Sequence, residues 1–190
     1  MPKNYIMKKG IDIEKLIACV AYICGSAPDG KYRAIDMIKA MYMAERESVI
    51  RTFHPMTGDD MMCYVHGPIL KTLHDLTRGC ARREYQSQWD KCFTTLKNGR
   101  YNVIQIKLAA RPNMDRLSPA NEAFLNRGIG FVDSCNGKSI IHETHKSMIC
   151  PEWVAARNAG LKNIRISDIL KRYRKDLTRG DIEQIQKEIG

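Results

Sequence analysis

The sequence predicts an α+β fold: a single, mainly helical domain with a small antiparallel β-sheet or hairpin. Three observations support this. Apolar residues recur at spacings of three and four through most of the chain, as one face of a helix requires. Only the run "RYNVIQIKL" is rich in β-branched residues, and it follows an Asn-Gly turn pair. With 190 residues, 44% of them hydrophobic, the chain can bury one substantial core without disulfide staples.

The first helix is expected in "DIEKLIACVAYICG", where Ile13, Leu16, Ile17, Val20 and Ile23 repeat at helical spacing. Asp12 complements the helix dipole at its start and Gly25 ends it. The segment "KYRAIDMIKAMYMAERESVI" sets Ile35, Ile38, Met41 and Tyr42 on one face and turns Lys39, Arg46 and Glu47 mostly away, which predicts a second helix. Pro55 and Gly58 then break the pattern, and "MMCYVHGP" reads as a short extended run. Pro68, tolerated in a first helical turn, is expected to open a third helix that stops at Gly79. The polar stretch "CARREYQSQWDKC" is ambiguous, whereas "TTL" should pair with "RYNVIQIKL" across Asn98-Gly99 as a hairpin. Ser118 and Pro119 mark a further helix start, with the acid of a capping box displaced by one position to Glu122. Helices follow in "KSIIHETHKS", "CPEWVAARNAG", "SDILKRYRK" and "TRGDIEQIQKEIG".

The net charge of +10 favours acidic partners, whether nucleic acid, an anionic surface or an acidic protein. Seven scattered cysteines suit reduced thiols in a cytoplasmic protein better than a disulfide framework. "LIAC" has the form of a lipoprotein cleavage box, but the charged "KKGIDIEK" precedes it where a signal peptide needs an apolar run. "LIACVAYIC" is too short to span a bilayer, so no membrane insertion is expected.

"IIHETHKSMICPEW" gathers histidines, a glutamate and a cysteine, yet His142 and His145 are three apart, where a zinc-protease helix needs them four apart. Cys135, His142, His145 and Cys150 could supply two sulfurs and two imidazoles, but no C-x-x-C pair provides the usual thiolate half. We therefore expect no metal and no cofactor, and read this stretch as architecture. Neither a G-x-S-x-G elbow nor a phosphate-binding glycine loop occurs, and no catalytic residue is assigned. The basic clusters "RGCARRE" and "KRYRK" offer Arg82, Arg83, Lys171, Arg172, Arg174 and Lys175 as possible phosphate contacts, which supports a nucleic-acid-binding regulator as the alternative function.

The order of short motifs resembles the Panacea domain family, the SocA-like and GepA-like proteins of toxin–antitoxin loci. "KAMYMAER" matches the family's helix at Met41, Tyr42, Ala44, Glu45 and Arg46. "MTGDDMMCYVHGPILKTLHDL" carries its T-G-D turn and G-P step at Thr57, Gly58, Asp59, Gly67 and Pro68. "LSPANEAFL" and "ETHKSMICPEW" follow, aligning His145 and Trp153 with family positions and leaving His142 outside. The resemblance spans roughly residues 11–172. It implies a tail over 1–10, the domain over 11–176 and a C-terminal helix over 177–190. It also implies an antitoxin that binds a cognate toxin protein from an adjacent gene, with a phage or prophage inhibitor of a host defence toxin as a variant of the same role, gripping it with surface anchors such as the methionines of "DMIKAMYM" and "MTGDDMM". In that reading Glu45 and Arg46 form an ion pair, His145 bonds a backbone carbonyl and Trp153 fills the adjacent core.

Overall fold

The computed structural model describes residues 10–99 and 101–189; the expected tail lies outside them apart from Gly10. Among the described residues the elements run α1 (Ile13–Gly25), β1 (Lys31–Arg33), α2 (Ala34–Thr52), β2 (Met61–Tyr64), β3 (Gly67–Leu70), α3 (Lys71–Thr77) and α4 (Arg83–Cys92). They continue with β4 (Phe93–Asn98), β5 (Tyr101–Ile106), α5 (Pro119–Ser134), α6 (Ile140–Thr144), α7 (Pro151–Asn158), α8 (Ile166–Tyr173) and α9 (Arg179–Ile189). The fold is the expected mainly helical α+β class. One antiparallel sheet has the order β1-β5-β4, and β2 and β3 form a separate hairpin.

Helix α2 is the hub. It packs against α1, α5, α8, β3 and β5, and every residue from Met37 to Glu45 is buried. That stretch has no solvent face, so each polar side chain within it must find its partner inside the protein. The local starts and stops follow ordinary capping chemistry. The Asp12 side chain accepts from the Lys15 amide at the head of α1. Ser118 caps α5, and the capping box is closed by Asn121 rather than by an acid, since its side-chain oxygen accepts from the Ser118 amide. The ambiguous stretch resolves as α4, whose inward face carries the fully buried Trp89 against Phe93, ring centroids 4.4 Å apart. The hairpin across Asn98-Gly99 is present, with Asn98 opposite Tyr101.

Two boundaries differ from expectation. Lys31–Arg33 is a strand paired to β5, not the first turn of α2. Pro68 lies inside β3, opposite Cys63, and α3 begins three residues later at Lys71. Proline suits a two-stranded edge because no further strand needs its missing N–H. The helix can start late because a carboxylate from elsewhere in the chain caps it, as described below.

The α2–α5 crossing is unusually close at Gly128. A Cβ built there would sit 2.2 Å from the Ala40 carbonyl oxygen, inside backbone rather than against a flexible tip. Gly128→Ala must push the two helices apart and should lower stability by about 2 kcal/mol, the range for overpacked cores. A urea midpoint within error of the parent would show that the helices can separate freely.

Candidate functional site

The polar residues of α2 reach out to loops remote in sequence. Glu45 is fully buried and accepts from the Thr57 amide (2.9 Å), the Thr57 hydroxyl (3.1 Å) and the Gly58 amide (3.2 Å). Burial pushes its carboxyl up to about 7, while the Thr57 and Gly58 donors pull the other way. Gly58 has φ +75°, and a Cβ there would lie 2.8 Å from the Gly10 carbonyl oxygen, so the turn tolerates only glycine. The next residue, Asp59, turns its carboxylate to the amides of Thr72 (2.9 Å) and Leu73 (3.0 Å). It thereby caps α3, which has no side-chain cap of its own. Burial raises the Asp59 carboxyl, and those same amides oppose the rise.

A second cluster ties α2 to α7 and α8. The Tyr42 hydroxyl donates to Glu152 Oε1 at 2.8 Å, Arg46 Nη1 donates to the same oxygen at 3.1 Å, and the Tyr173 hydroxyl donates to Oε2 at 3.1 Å. Arg46 also donates to the Ile149 carbonyl at 2.7 Å and lies over the Tyr173 ring. Glu152 is 1% exposed and Tyr42 fully buried. Burial first, then the Glu152 carboxylate, drives the Tyr42 phenol well above its ordinary range.

The expected pairing of Glu45 with Arg46 is therefore incorrect. At 3.6 residues per turn, neighbours point about 100° apart and cannot face one another, so each finds its own distant partner.

A third clamp centres on Lys39, which the sequence reading had turned toward solvent. It is fully buried, and its Nζ donates to the carbonyls of His66 (2.7 Å) and Pro68 (2.9 Å). Burial lowers its ammonium pKa to about 7. Gly67 between those carbonyls has φ +94°, and a Cβ there would fall 2.7 Å from Lys39 Nζ and 2.8 Å from Thr144 Oγ1. The G-P step is thus a cradle for an ammonium group. A lysine inside a run of otherwise apolar α2 residues was the signal that could have revealed it.

Beside this cradle, His145 stacks on Trp153 with ring centroids 4.4 Å apart and planes 12° from parallel. Its buried Nε2 has no partner, so the expected bond to a carbonyl is replaced by stacking; burial, and then the charge of Lys39, lowers its pKa. Trp153 does fill the core, and its indole N–H donates to the Tyr64 carbonyl at 3.0 Å.

The cysteines and histidines once considered for zinc do not converge: Cys150 sits against Arg46, and Cys135 hydrogen-bonds the Phe131 carbonyl. Among the described residues no group of three or more His, Cys, Asp or Glu side chains is arranged to hold a metal ion. All seven cysteines are free thiols. The methionines of the two expected anchor stretches are core rather than surface, Met37, Met41, Met43, Met56 and Met61 being buried and Met62 half-buried.

The basic clusters lie on different helices, α4 and α8. Arg82 and Arg83 are exposed at the start of α4. Lys171, Arg172 and Lys175 are exposed at the end of α8, whereas Arg174 is half-buried, paired with Asp176 and donating to the Ile50 carbonyl. No helix among the described residues is long and apolar enough to cross a membrane.

No curated protein and no solved structure matches the chain. A family model does, and the residues it covers run from Met37 in α2 to Trp153, taking in every member of the three clusters except Tyr173. Described as "Antitoxin SocA-like, Panacea domain", it matches residues 37–153, more than half of the 190 residues, and the chain belongs to that family.

Proposed function

We propose that this protein is an antitoxin that neutralises a cognate protein toxin, encoded by an adjacent gene, through stoichiometric contact in the cytoplasm and without catalysis. The observation that carries the reading is the fate of the signature polar residues. Tyr42, Glu45, Arg46 and Asp59 each bond an element distant in sequence, so they hold a scaffold rather than present reactive groups. Recognition is then left to the outer surface, where the +10 charge suits an acidic partner. A phage or prophage origin would make the target a host defence toxin.

Coexpression with the neighbouring open reading frame tests this. Growth should be restored, and the two proteins should co-purify in fixed ratio. A neighbour that stays lethal and never co-purifies would refute the reading. The exposed Arg82 and Arg83 keep a second reading open, a nucleic-acid-binding regulator, which requires a gel shift that weakens steeply with salt.

A further inference from the structure

Between α7 and α8 lies a groove of about 420 Å³. Its apolar lining is Ala155, Ala156, Ala159 and Leu161; Lys171, Arg172 and Lys175 line it with positive charge, and its two carboxylates are already engaged, Glu152 with Tyr42 and Arg46 and Asp168 with Arg165. We propose that this groove is the anchor point for an acidic segment of the partner protein, which sets carboxylates against the three cations and a small apolar side chain on the alanine floor. The inference rests on the antitoxin reading and assigns it a surface.

Charge complementarity carries the argument. The other cations of this region are already matched: Arg165 pairs with Asp168, Arg174 with Asp176 and Arg179 with Glu183. Among the described residues Lys171, Arg172 and Lys175 form no ion pair, although they crowd within five positions and repel one another. The C-terminal dipole of α8 favours positive charge there, which explains one or two cations but not their gathering along an apolar trough.

The trough also argues for protein over single-stranded nucleic acid. No aromatic ring lines it on which an unpaired base could stack, and Tyr173 of α8 is turned inward to Glu152 and Arg46. Alanines at the floor let a partner backbone approach closely, and Leu161, 44% exposed, supplies the apolar contact.

The groove is tested by titrating the purified product of the adjacent open reading frame into this protein and three forms of it. The parent should bind, with affinity falling at least about tenfold between 50 and 500 mM salt. The triple variant Lys171→Glu/Arg172→Glu/Lys175→Glu should lose at least about tenfold in affinity by charge reversal, and Ala159→Trp should lose as much by filling the trough with charge unchanged. Both variants change exposed positions, and circular dichroism melts are the check that they fold like the parent. Arg82→Glu/Arg83→Glu, at the α4 cluster outside the groove lining, should bind like the parent.

A parent that binds while both groove variants bind equally well, or a parent affinity indifferent to salt, overturns the groove and leaves the antitoxin reading standing. A parent that does not bind at all overturns that reading, and the groove with it. A 20-base-pair duplex shifted by the parent and by Ala159→Trp but not by the triple variant, with no toxin complex, would reassign the cations to nucleic acid and also overturn the proposal.

Discussion

Glu152→Ala should destabilise the protein by about 3–5 kcal/mol, the usual consequence of removing one member of a buried ion pair. The carboxylate collects three donors, from Tyr42, Arg46 and Tyr173, at a site 1% exposed. Its removal leaves the Tyr42 hydroxyl without its acceptor and the Arg46 guanidinium without its counter-charge in a largely buried site, and the neutral Ile149 carbonyl, Tyr173 hydroxyl and Cys150 thiol that Arg46 also meets do not replace a carboxylate. Glu152→Gln keeps the shape and one acceptor oxygen, so its loss should be smaller, about 1–3 kcal/mol. Urea denaturation separates the two through the midpoint at constant m-value. A loss below about 1 kcal/mol for Glu152→Ala would mean that water enters and solvates Arg46, and the cluster would not be the tie between α2 and the α7–α8 pair.

That tie bears on function because Glu152 also lies at the base of the α7–α8 groove. The position of α7, and so the width of the trough, depends on a bond to the hub helix. Glu152→Gln should therefore weaken partner binding by more than its exposure would suggest, through geometry rather than contact.

How much of this was legible in the sequence depends on whether the cause was local. Helical periodicity, the Ser118-Pro119 start and the Asn98-Gly99 hairpin are local, and all are present. Pro68 does not open the helix because the helix start depends on the Asp59 carboxylate, 13 and 14 residues away in sequence from the amides it caps. The three residues Lys31–Arg33 form a strand only because β5 is beside them, and nothing in their own pattern says so. The signature residues Tyr42, Glu45, Arg46 and Asp59 were found through resemblance, but their partners were not. Glu152 and Tyr173 stand 106 and 127 positions from Arg46, and adjacency suggested the wrong pairing. Lys39 was missed for a different reason: a lysine is assigned to solvent by default, and only a helix enclosed on every side overturns that default.

Lys39 has the second large effect, and it is read through pH. In the unfolded chain its ammonium holds the proton to about 10.4, whereas in the folded protein burial releases it near 7. Between those values the unfolded state binds more protons, so folding stability contributed through Lys39 rises with pH, by up to about 1.4 kcal/mol per pH unit. Lys39→Met removes this term. The parent-minus-variant stability difference should therefore climb by about 2 kcal/mol from pH 7.5 to 9.5, with the variant favoured at the acid end, where the parent must bury a charge. Other groups around the cradle do not mimic this slope. Burial lowers the His145 pKa, away from this range, and Glu45, pushed up to about 7, loses most of its proton near the lower edge. Cys150, raised to about 12 by burial, acts in the opposite sense above its unfolded pKa, and because the Lys39 charge lowers it in the parent alone, it cancels in the difference only in part. At high pH the variant should be the less stable, because the His66 and Pro68 carbonyls lose their donor and the β2–β3 turn its tether to α2. Two parallel stability–pH curves would show that the Lys39 amine reaches water in the folded state, and the cradle at Gly67 would then be packing alone.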